Sequence, residues 1–475
     1  MQIKDYQAAR KVLQSIGQEH LLAFWEELNE QQREHLLEQI RQLDIRKIPH
    51  WVRDTVKNQT PLAIPTVFEP APSYPPTPQT PEQAEKYARA RRMGEKLLAE
   101  GKVAGFVVAG GQGTRLGFDG PKGNFPISPI KKKTLFQVFA ESVLAARKKY
   151  GSVLPWLIMT SPLNHQATVE TFEANDYFGL GADTVFIFQQ GTMPNFDFEG
   201  RIFLADKDTI AVSPDGHGGS LKALYVSGVL DELKRRGIEY LSYWQVDNPL
   251  VHLFDPLFIG LHVLDGAQMS SKALIKAHPT EKVGNFCLVN GRVTVIEYSD
   301  LPDEAAHRRR PDGSLVFELG SIAIHIISRE FVERLNKDGN FALPLHRAVK
   351  KIPHIDLSGK KIEPNKPCGI KLETFIFDAL PLAEKSVILQ TIRSEEFAPV
   401  KNASGEDSPE VTVRMMIERA AAWLEKAGVK VPRTKDGKVD CILEIAPSFA
   451  LTAEDVKAKV GQIPPLHPGD TVYLE

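Results

Sequence analysis

Apolar residues near the start of the chain recur at three-and-four spacing: Leu21, Leu22, Phe24, Trp25 and Leu28, then Leu36, Leu37, Ile40 and Leu43. That spacing places them on one helical face, so the stretch from Asp5 to about Leu43 is predicted to be an amphipathic helical prelude. The rhythm stops where Pro61, Pro65, Pro70, Pro72, Pro75, Pro76, Pro78 and Pro81 crowd together. Prolines this dense forbid a regular element and predict an extended strap over residues 60–81. Thr80 as N-cap, Pro81 at the first helical position and Gln83 three residues after the cap predict a capping box. The helix so begun should stop near Gly101.

From Val103 the pattern changes to short apolar runs separated by helical stretches: Val103 to Ala109, Trp156 to Thr160, Val185 to Phe188 and Tyr240 to Val246. Runs this short and this rich in branched and aromatic residues read as strands covered on both faces by helices, which predicts an α/β fold around a mainly parallel sheet. After Ser386 come a helix around Val411 to Ala427 and short strands with proline turns near Ile463 to Pro468. The expected organisation is a helical N-terminal region over 1–100, a catalytic domain over 101–385 and a small C-terminal domain over 386–475.

The 475 residues are 42% hydrophobic, enough for a large core with satellites. Lys and Arg number 58 against 60 Asp and Glu, a net charge of −2 that gives no global attraction to nucleic acid or acidic membranes. Any anion site must be local. Cys287, Cys368 and Cys441 are far apart and form no C-x-x-C pair, so a reduced cytoplasmic setting is expected. Met1 to Arg10 lacks the apolar core of a signal peptide, and no stretch approaches the roughly eighteen apolar residues of a membrane span.

Local anion chemistry gathers just after the first strand, in Gly110-Gly-Gln-Gly-Thr-Arg-Leu-Gly117 and then Pro121-Lys-Gly123. Gly110, Gly111, Gly113 and Gly117 have no side chains, so the backbone can take positive φ values there and turn N–H groups onto phosphate oxygens. Arg115 and Lys122 would add fixed positive charge over a triphosphate. Of two other phosphate loops, one fails on spacing and the other fits it weakly. No Gly-Lys pair stands where a Walker A loop needs one, and Leu116 occupies the place of the third dinucleotide-fingerprint glycine. Asp247 lies just past the run Tyr240 to Val246, at a strand's carboxyl end, where open α/β sheets bind ligands. A hard oxygen there suits Mg²⁺, and an aspartate capping the next turn would leave the same trace.

Ala109-Gly-Gly-Gln-Gly-Thr-Arg-Leu-Gly117 with Pro121-Lys-Gly123 resembles the nucleotide loop of UDP-N-acetylglucosamine pyrophosphorylases, within the UDP-sugar pyrophosphorylase family. The resemblance continues in order through Gly17-Gln-Glu-His-Leu-Leu22, Ile158-Met-Thr-Ser161, Phe188-Gln-Gln-Gly191, Pro214-Asp-Gly-His-Gly-Gly219, Val246-Asp-Asn248, Val283-Gly284, Glu297-Tyr-Ser299, Gly369-Ile-Lys371 and Lys401-Asn-Ala403. It implies a Rossmann-like, glycosyltransferase-A-like nucleotidyltransferase fold and an enzyme joining UTP to a sugar 1-phosphate with release of pyrophosphate. It assigns catalytic charge to Arg115, Lys122 and Lys401, and Mg²⁺ to Asp247. The nucleotide falls to Gly110, Gly111, Gln112, Gly113, Thr114, Gln190, Pro214, Gly216 and Lys371, with Gln190 on the uracil edge. The sugar falls to His217, Gly284, Glu297 and Ser321.

Two of these positions depart from the family pattern. His217 and Ser321 stand where the N-acetylglucosamine enzymes carry asparagines, and a serine is too short to serve an amido group as an asparagine does. A Gly-His-Gly triplet also occurs in UDP-glucose and broad-range UDP-sugar relatives. N-acetylglucosamine 1-phosphate is the first expected substrate, followed by glucose 1-phosphate and galactose 1-phosphate. A nucleotide-sugar-binding protein without catalysis is the competing class, and it needs neither Lys122 nor Asp247.

Overall fold

A computed structural model describes residues 3–58, 65, 67–339, 341 and 343–475. The N-terminal helices bury their apolar face against two later stretches of the chain. One compact unit comprises Met1–Ile64, Gly191–Gly219 and Ala342–Asp378, and the other comprises Pro65–Gln190, Ser220–Phe341 and Ala379–Glu475. Of the expected strap, residues 60–64 and 66 lie outside the described residues, and Glu69–Pro70 pairs as a two-residue edge strand with Leu288 and Cys287, so the prolines there do not forbid a regular element altogether.

In the first unit, helices Tyr6–Ser15 and Glu30–Gln42 supply Leu13, Leu36, Leu37 and Ile40 to a core shared with Phe196, Ile202, Ile210, Ile370 and Leu372. Two glutamines join the segments by pairing both amide atoms with backbone. Gln18 donates to the Gly200 carbonyl and accepts from Ile202 N–H, each at 2.8 Å. Gln39 does the same with Asp208 and Ile210, again at 2.8 Å. Backbone groups that would otherwise be buried unpaired are thereby satisfied.

The second unit is built on a sheet whose strands are β1 (Glu69–Pro70), β2 (Val103–Val108), β3 (Trp156–Thr160), β4 (Val185–Gln189), β5 (Tyr240–Gln245), β6 (Met269–Ile275), β7 (Gly284–Val289), β8 (Arg292–Ile296), β9 (Leu319–Ser328) and β10 (Ile388–Gln390). Its order is β1-β7-β9-β5-β2-β3-β4, with β6 on β9 and β10 and with β8 on β7. The half formed by β5, β2, β3 and β4 is parallel throughout. Antiparallel β9, β7 and β1 extend it on the other side. Phe106, Trp156, Tyr243 and Trp244 are fully buried along these strands, as expected of strands with both faces covered.

Thr80 caps helix Pro81–Ala99 by accepting from Gln83 N–H at 3.3 Å, while the Gln83 side chain reaches Gln79 N–H at 2.8 Å instead of returning to the cap. This helix packs closely on Pro256–Leu264 through two glycines: a Cβ on Gly260 would sit 1.7 Å from the Ala90 carbonyl oxygen, and one on Gly94 would sit 2.0 Å from that of Pro256. At the C-terminus, Ser408 caps helix Pro409–Lys426, which covers a parallel pair, Ile442–Ile445 with Thr471–Leu474, around Trp423, Leu424, Leu443 and Leu474. No helix among the described residues is long and apolar enough to cross a membrane.

Candidate active site

The glycine-rich loop leaves the carboxyl end of β2 and closes on itself. Gly113 N–H donates to the Gly120 carbonyl at 2.9 Å, and Lys122 N–H to that of Gly111 at 3.0 Å. The closure folds the Lys122 side chain back until its Cε is 4.0 Å from where a Cβ on Gly111 would stand. Only Gly117 (φ 69°) and Gly120 (φ 130°) are left-handed here. Gly110, Gly111 and Gly113 are not, so of the four glycines free to take positive φ only Gly117 does so. The reason for glycine at Gly110 and Gly113 is space. A Cβ on Gly113 would stand 2.7 Å from the Phe118 ring, and one on Gly110 would stand 2.4 Å from Gln190 Oε1.

Gln190 follows β4 and is 7% exposed, so this near-contact places a buried carboxamide against the loop. Ser161 and Asn164, just past β3, complete the support. Asn164 donates to the carbonyls of Ala109 at 2.8 Å and Gly111 at 3.2 Å while accepting from Ser161 N–H at 2.9 Å. Sequence reasoning missed Asn164, whose signal was its place as N-cap of the helix His165–Ala174. Gln112 donates to Leu163 O at 3.1 Å. Thr114 and Arg115 are exposed, and among the described residues Arg115 forms no ion pair.

Asp247 and Lys122 meet across the ends of β5 and β2, Oδ2 to Nζ at 3.7 Å, with both side chains mostly buried. Lys122 also donates to Val400 O at 3.4 Å, and Val400 N–H donates to Asp247 O at 2.8 Å. Lys401 is therefore the neighbour of a residue held between the other two. Its ammonium lies 3.4 Å from Asp407 and is more exposed than theirs. At the sheet's other half, Gly284 on β7 pairs with Ser321 on β9. A Cβ on Gly284 would lie 3.3 Å from Glu297 Oε1 and 3.8 Å from Ser321 Cβ, so three of the four sugar candidates form one cluster. Beside it, Lys276 donates to Asn285 Oδ1 at 2.6 Å, and burial pushes its ammonium below the usual lysine range.

The remaining candidates belong to the first unit. Pro214 ends a short strand, and Gly216 (φ 85°) turns so tightly against Thr374 that a Cβ would lie 2.4 Å from its carbonyl oxygen. His217 is stacked on Phe375 with ring centroids 5.2 Å apart, and its Nδ1 accepts from Ile376 N–H at 3.1 Å. That bond sets the tautomer, putting the neutral ring's proton on Nε2. Lys371 lies on strand Gly369–Glu373, paired with Glu373 at 2.8 Å.

No group of three or more His, Cys, Asp or Glu side chains among the described residues could hold a metal ion. A single partly open carboxylate suits Mg²⁺, which keeps several waters and is shared with substrate phosphates. Asp247 meets that requirement. A cavity of about 780 Å³ in the same unit lies elsewhere, lined by Arg91, Tyr150, His252, Lys272, Glu396 and Arg419, and includes none of the residues assigned to nucleotide or sugar.

A glycine loop carrying a lysine at one strand end, and a carboxylate facing it from the next, define the class: a nucleotide-handling α/β protein laid out as a nucleotidyltransferase. Residues 74–474 match the family UTP--glucose-1-phosphate uridylyltransferase, and the chain belongs to that family. It is 36% identical over 437 residues, 89% of this chain and 86% of the relative, to UDP-N-acetylhexosamine pyrophosphorylase-like protein 1 of Homo sapiens. To the UDP-N-acetylglucosamine pyrophosphorylase of Saccharomyces cerevisiae it is 34% identical over 464 residues, 94% of this chain and 96% of the relative. A crystal structure of uridine diphosphate N-acetylglucosamine pyrophosphorylase from Trypanosoma brucei matches it with a TM-score of 0.84 and 27% identity, covering 100% of this chain and 99% of that one.

Proposed function

We propose that the protein is a uridylyltransferase that makes UDP-N-acetylglucosamine and pyrophosphate from UTP and N-acetylglucosamine 1-phosphate. The observation that carries the reading is the Lys122–Asp247 pair at 3.7 Å, standing beside the glycine loop at the carboxyl ends of parallel strands. The attacking phosphate oxygen of a sugar 1-phosphate is already anionic near neutral pH, so the reaction needs in-line placement and charge neutralisation more than a general base. The oxygen bonds to the α-phosphorus, the bond to the β-phosphate oxygen breaks, and pyrophosphate carries away the electron pair.

Lys122 is assigned to the phosphate nearest the loop, with Arg115, Lys401 and Lys371 as further cations. Lys122 must exchange Asp247 for phosphate when nucleotide arrives. Asp247 would hold Mg²⁺, which when bound neutralises triphosphate charge. Gln190 offers the donor and acceptor that the uracil edge requires. Gly284, Glu297 and Ser321 are assigned to the sugar, as is His217. A cytoplasmic setting completes the reading, supported by the unpaired Cys287, Cys368 and Cys441.

Ser321 favours a second reading in which the sugar pocket is broader, because a serine opposite Gly284 leaves room and few hydrogen bonds for an acetamido group. Pyrophosphate release from UTP is to be measured with N-acetylglucosamine, glucose and galactose 1-phosphates. The first should give the highest kcat/KM. A preference of tenfold or more for glucose 1-phosphate overturns the choice of sugar, and no exchange of labelled pyrophosphate into UTP from any UDP-sugar overturns catalysis itself.

A further inference from the structure

The segment that ends in Lys401 is tied down by charges buried far from solvent. Lys272 and Glu396 have side chains only 2% and 4% exposed, and they meet at 2.6 Å through both carboxylate oxygens. Lys272 also pairs with Asp255 at 2.7 Å. Glu396 accepts two further bonds, from Thr391 Oγ1 at 2.5 Å and from His252 N–H at 3.1 Å. Every oxygen of the carboxylate is thus used within the protein. Such a buried pair contributes little net stability over apolar residues of the same volume, but it fixes one geometry.

That geometry is passed on by Asn248, the residue after Asp247. Asn248 Nδ2 donates to the Glu396 carbonyl at 2.7 Å, while its Oδ1 accepts from Ala398 N–H at 3.1 Å and Leu250 N–H at 3.3 Å. Two residues past Ala398, Val400 N–H reaches Asp247 O. Arg419 holds the same two segments from the C-terminal helix, donating to Leu250 O at 2.7 Å and Glu395 O at 3.1 Å.

We infer that Asn248 and Glu396, braced by Lys272, are positioning residues that lock segment 396–401 to the loop after β5 and so fix Asp247 and Lys401 relative to Lys122. Neither touches a reacting atom. The inference rests on the reading of Asp247 and Lys401 given above. It assigns a role in turnover to charges that would otherwise count as core packing.

The test is a cycle of Asn248→Ala and Asp247→Asn in the full chain, with kcat, the KM for UTP and the half-saturating Mg²⁺ concentration measured for each. Asn248→Ala should lower kcat tenfold or more and raise the Mg²⁺ requirement several-fold, with the UTP KM within threefold. In the Asp247→Asn background, itself down at least a hundredfold, the same change should cost less than threefold, the remainder being the part carried by Lys401. A separate readout is thermal stabilisation by UTP. Asn248→Ala should keep the wild-type gain with EDTA present and lose much of the extra gain that Mg²⁺ brings.

A purely structural role would lower the melting temperature and multiply through the cycle unchanged, and that result overturns the inference while leaving the reading of the site intact. A fully active Asp247→Asn enzyme overturns the reading and the inference with it. Should Asn248→Ala not fold, Glu396→Gln, which keeps the carbonyl bonded to Asn248 and the side-chain shape, is judged by the same criteria.

Discussion

Gly110→Ala is the substitution whose outcome follows most directly from the geometry. Gly110 is not in the left-handed region, so an alanine meets no backbone penalty and any effect comes from its methyl group. That methyl would stand 2.4 Å from Gln190 Oε1 and 3.3 Å from Ser161 N, where ordinary contact is roughly 3.5 Å. The carboxamide must therefore withdraw by about 1 Å, and because Gln190 is 7% exposed it has little space to do so. Overpacking of this kind costs about 1–3 kcal/mol of stability. If Gln190 makes two hydrogen bonds to uracil, each worth about 0.5–1.5 kcal/mol, bending both raises the UTP KM by roughly tenfold or more. Turnover should fall much less, since Lys122 and Asp247 are untouched. Gly111→Ala is the control for stability: its methyl meets nothing nearer than Lys122 Cε at 4.0 Å, and the melting temperature should stay put. In the Gly110→Ala background, Gln190→Ala should cost little more in KM. A Gly110→Ala enzyme with unchanged melting temperature and unchanged UTP KM refutes the reasoning.

Lys122→Ala removes one full charge which, at about 4 Å from a phosphate and an effective permittivity of about 20, is worth up to about 4 kcal/mol. Steady-state assays should show kcat down by roughly 10²–10³, and an active variant would sink the assignment. Gly260→Ala forces a methyl to within 1.7 Å of the Ala90 carbonyl oxygen, so urea unfolding should show a loss of at least about 3 kcal/mol; a loss under about 1 kcal/mol would mean that the two helices are not packed as described. His262 is fully buried between Ser270 and Ser328, and burial pushes its pKa down to about 3 from the ordinary 6.5. The unfolded chain then binds a proton below pH about 6.5 that the folded one refuses, so stability is complete above that pH and drains as the pH falls toward 3. From pH 6.5 to pH 5 the loss from this group is about 2 kcal/mol, and His262→Gln should flatten that part of the curve in denaturant titrations.

The chemistry that was legible in the sequence is the chemistry carried by contiguous residues. Gly110 to Gly123 could be picked out because closing a loop and folding Lys122 back over Gly111 takes only local bonds, and Asp247 because the mainly apolar run Tyr240 to Val246 before it marks a strand end. What the sequence misjudged, even there, was why glycine is needed. A methyl at Gly110 is excluded by Gln190, which is eighty residues away in the chain, and no local pattern encodes such a neighbour.

The same physics hides the first unit, in which the amides of Gln18 and Gln39 join the N-terminal helices to the segment Gly191–Gly219. A single glutamine on a helix reads as solvated, and only its two backbone partners at 2.8 Å show that it is a clasp. It hides Glu396 more completely. Arg393-Ser-Glu-Glu396 has the composition of an exposed helical turn, and a charged side chain is almost never fully buried unless paired. Its partner Lys272 lies on a strand more than a hundred residues earlier. Burial to 4% is therefore a property of the pair, and a pair separated by that much chain becomes visible only once the sheet has brought β6 and the segment after β10 together.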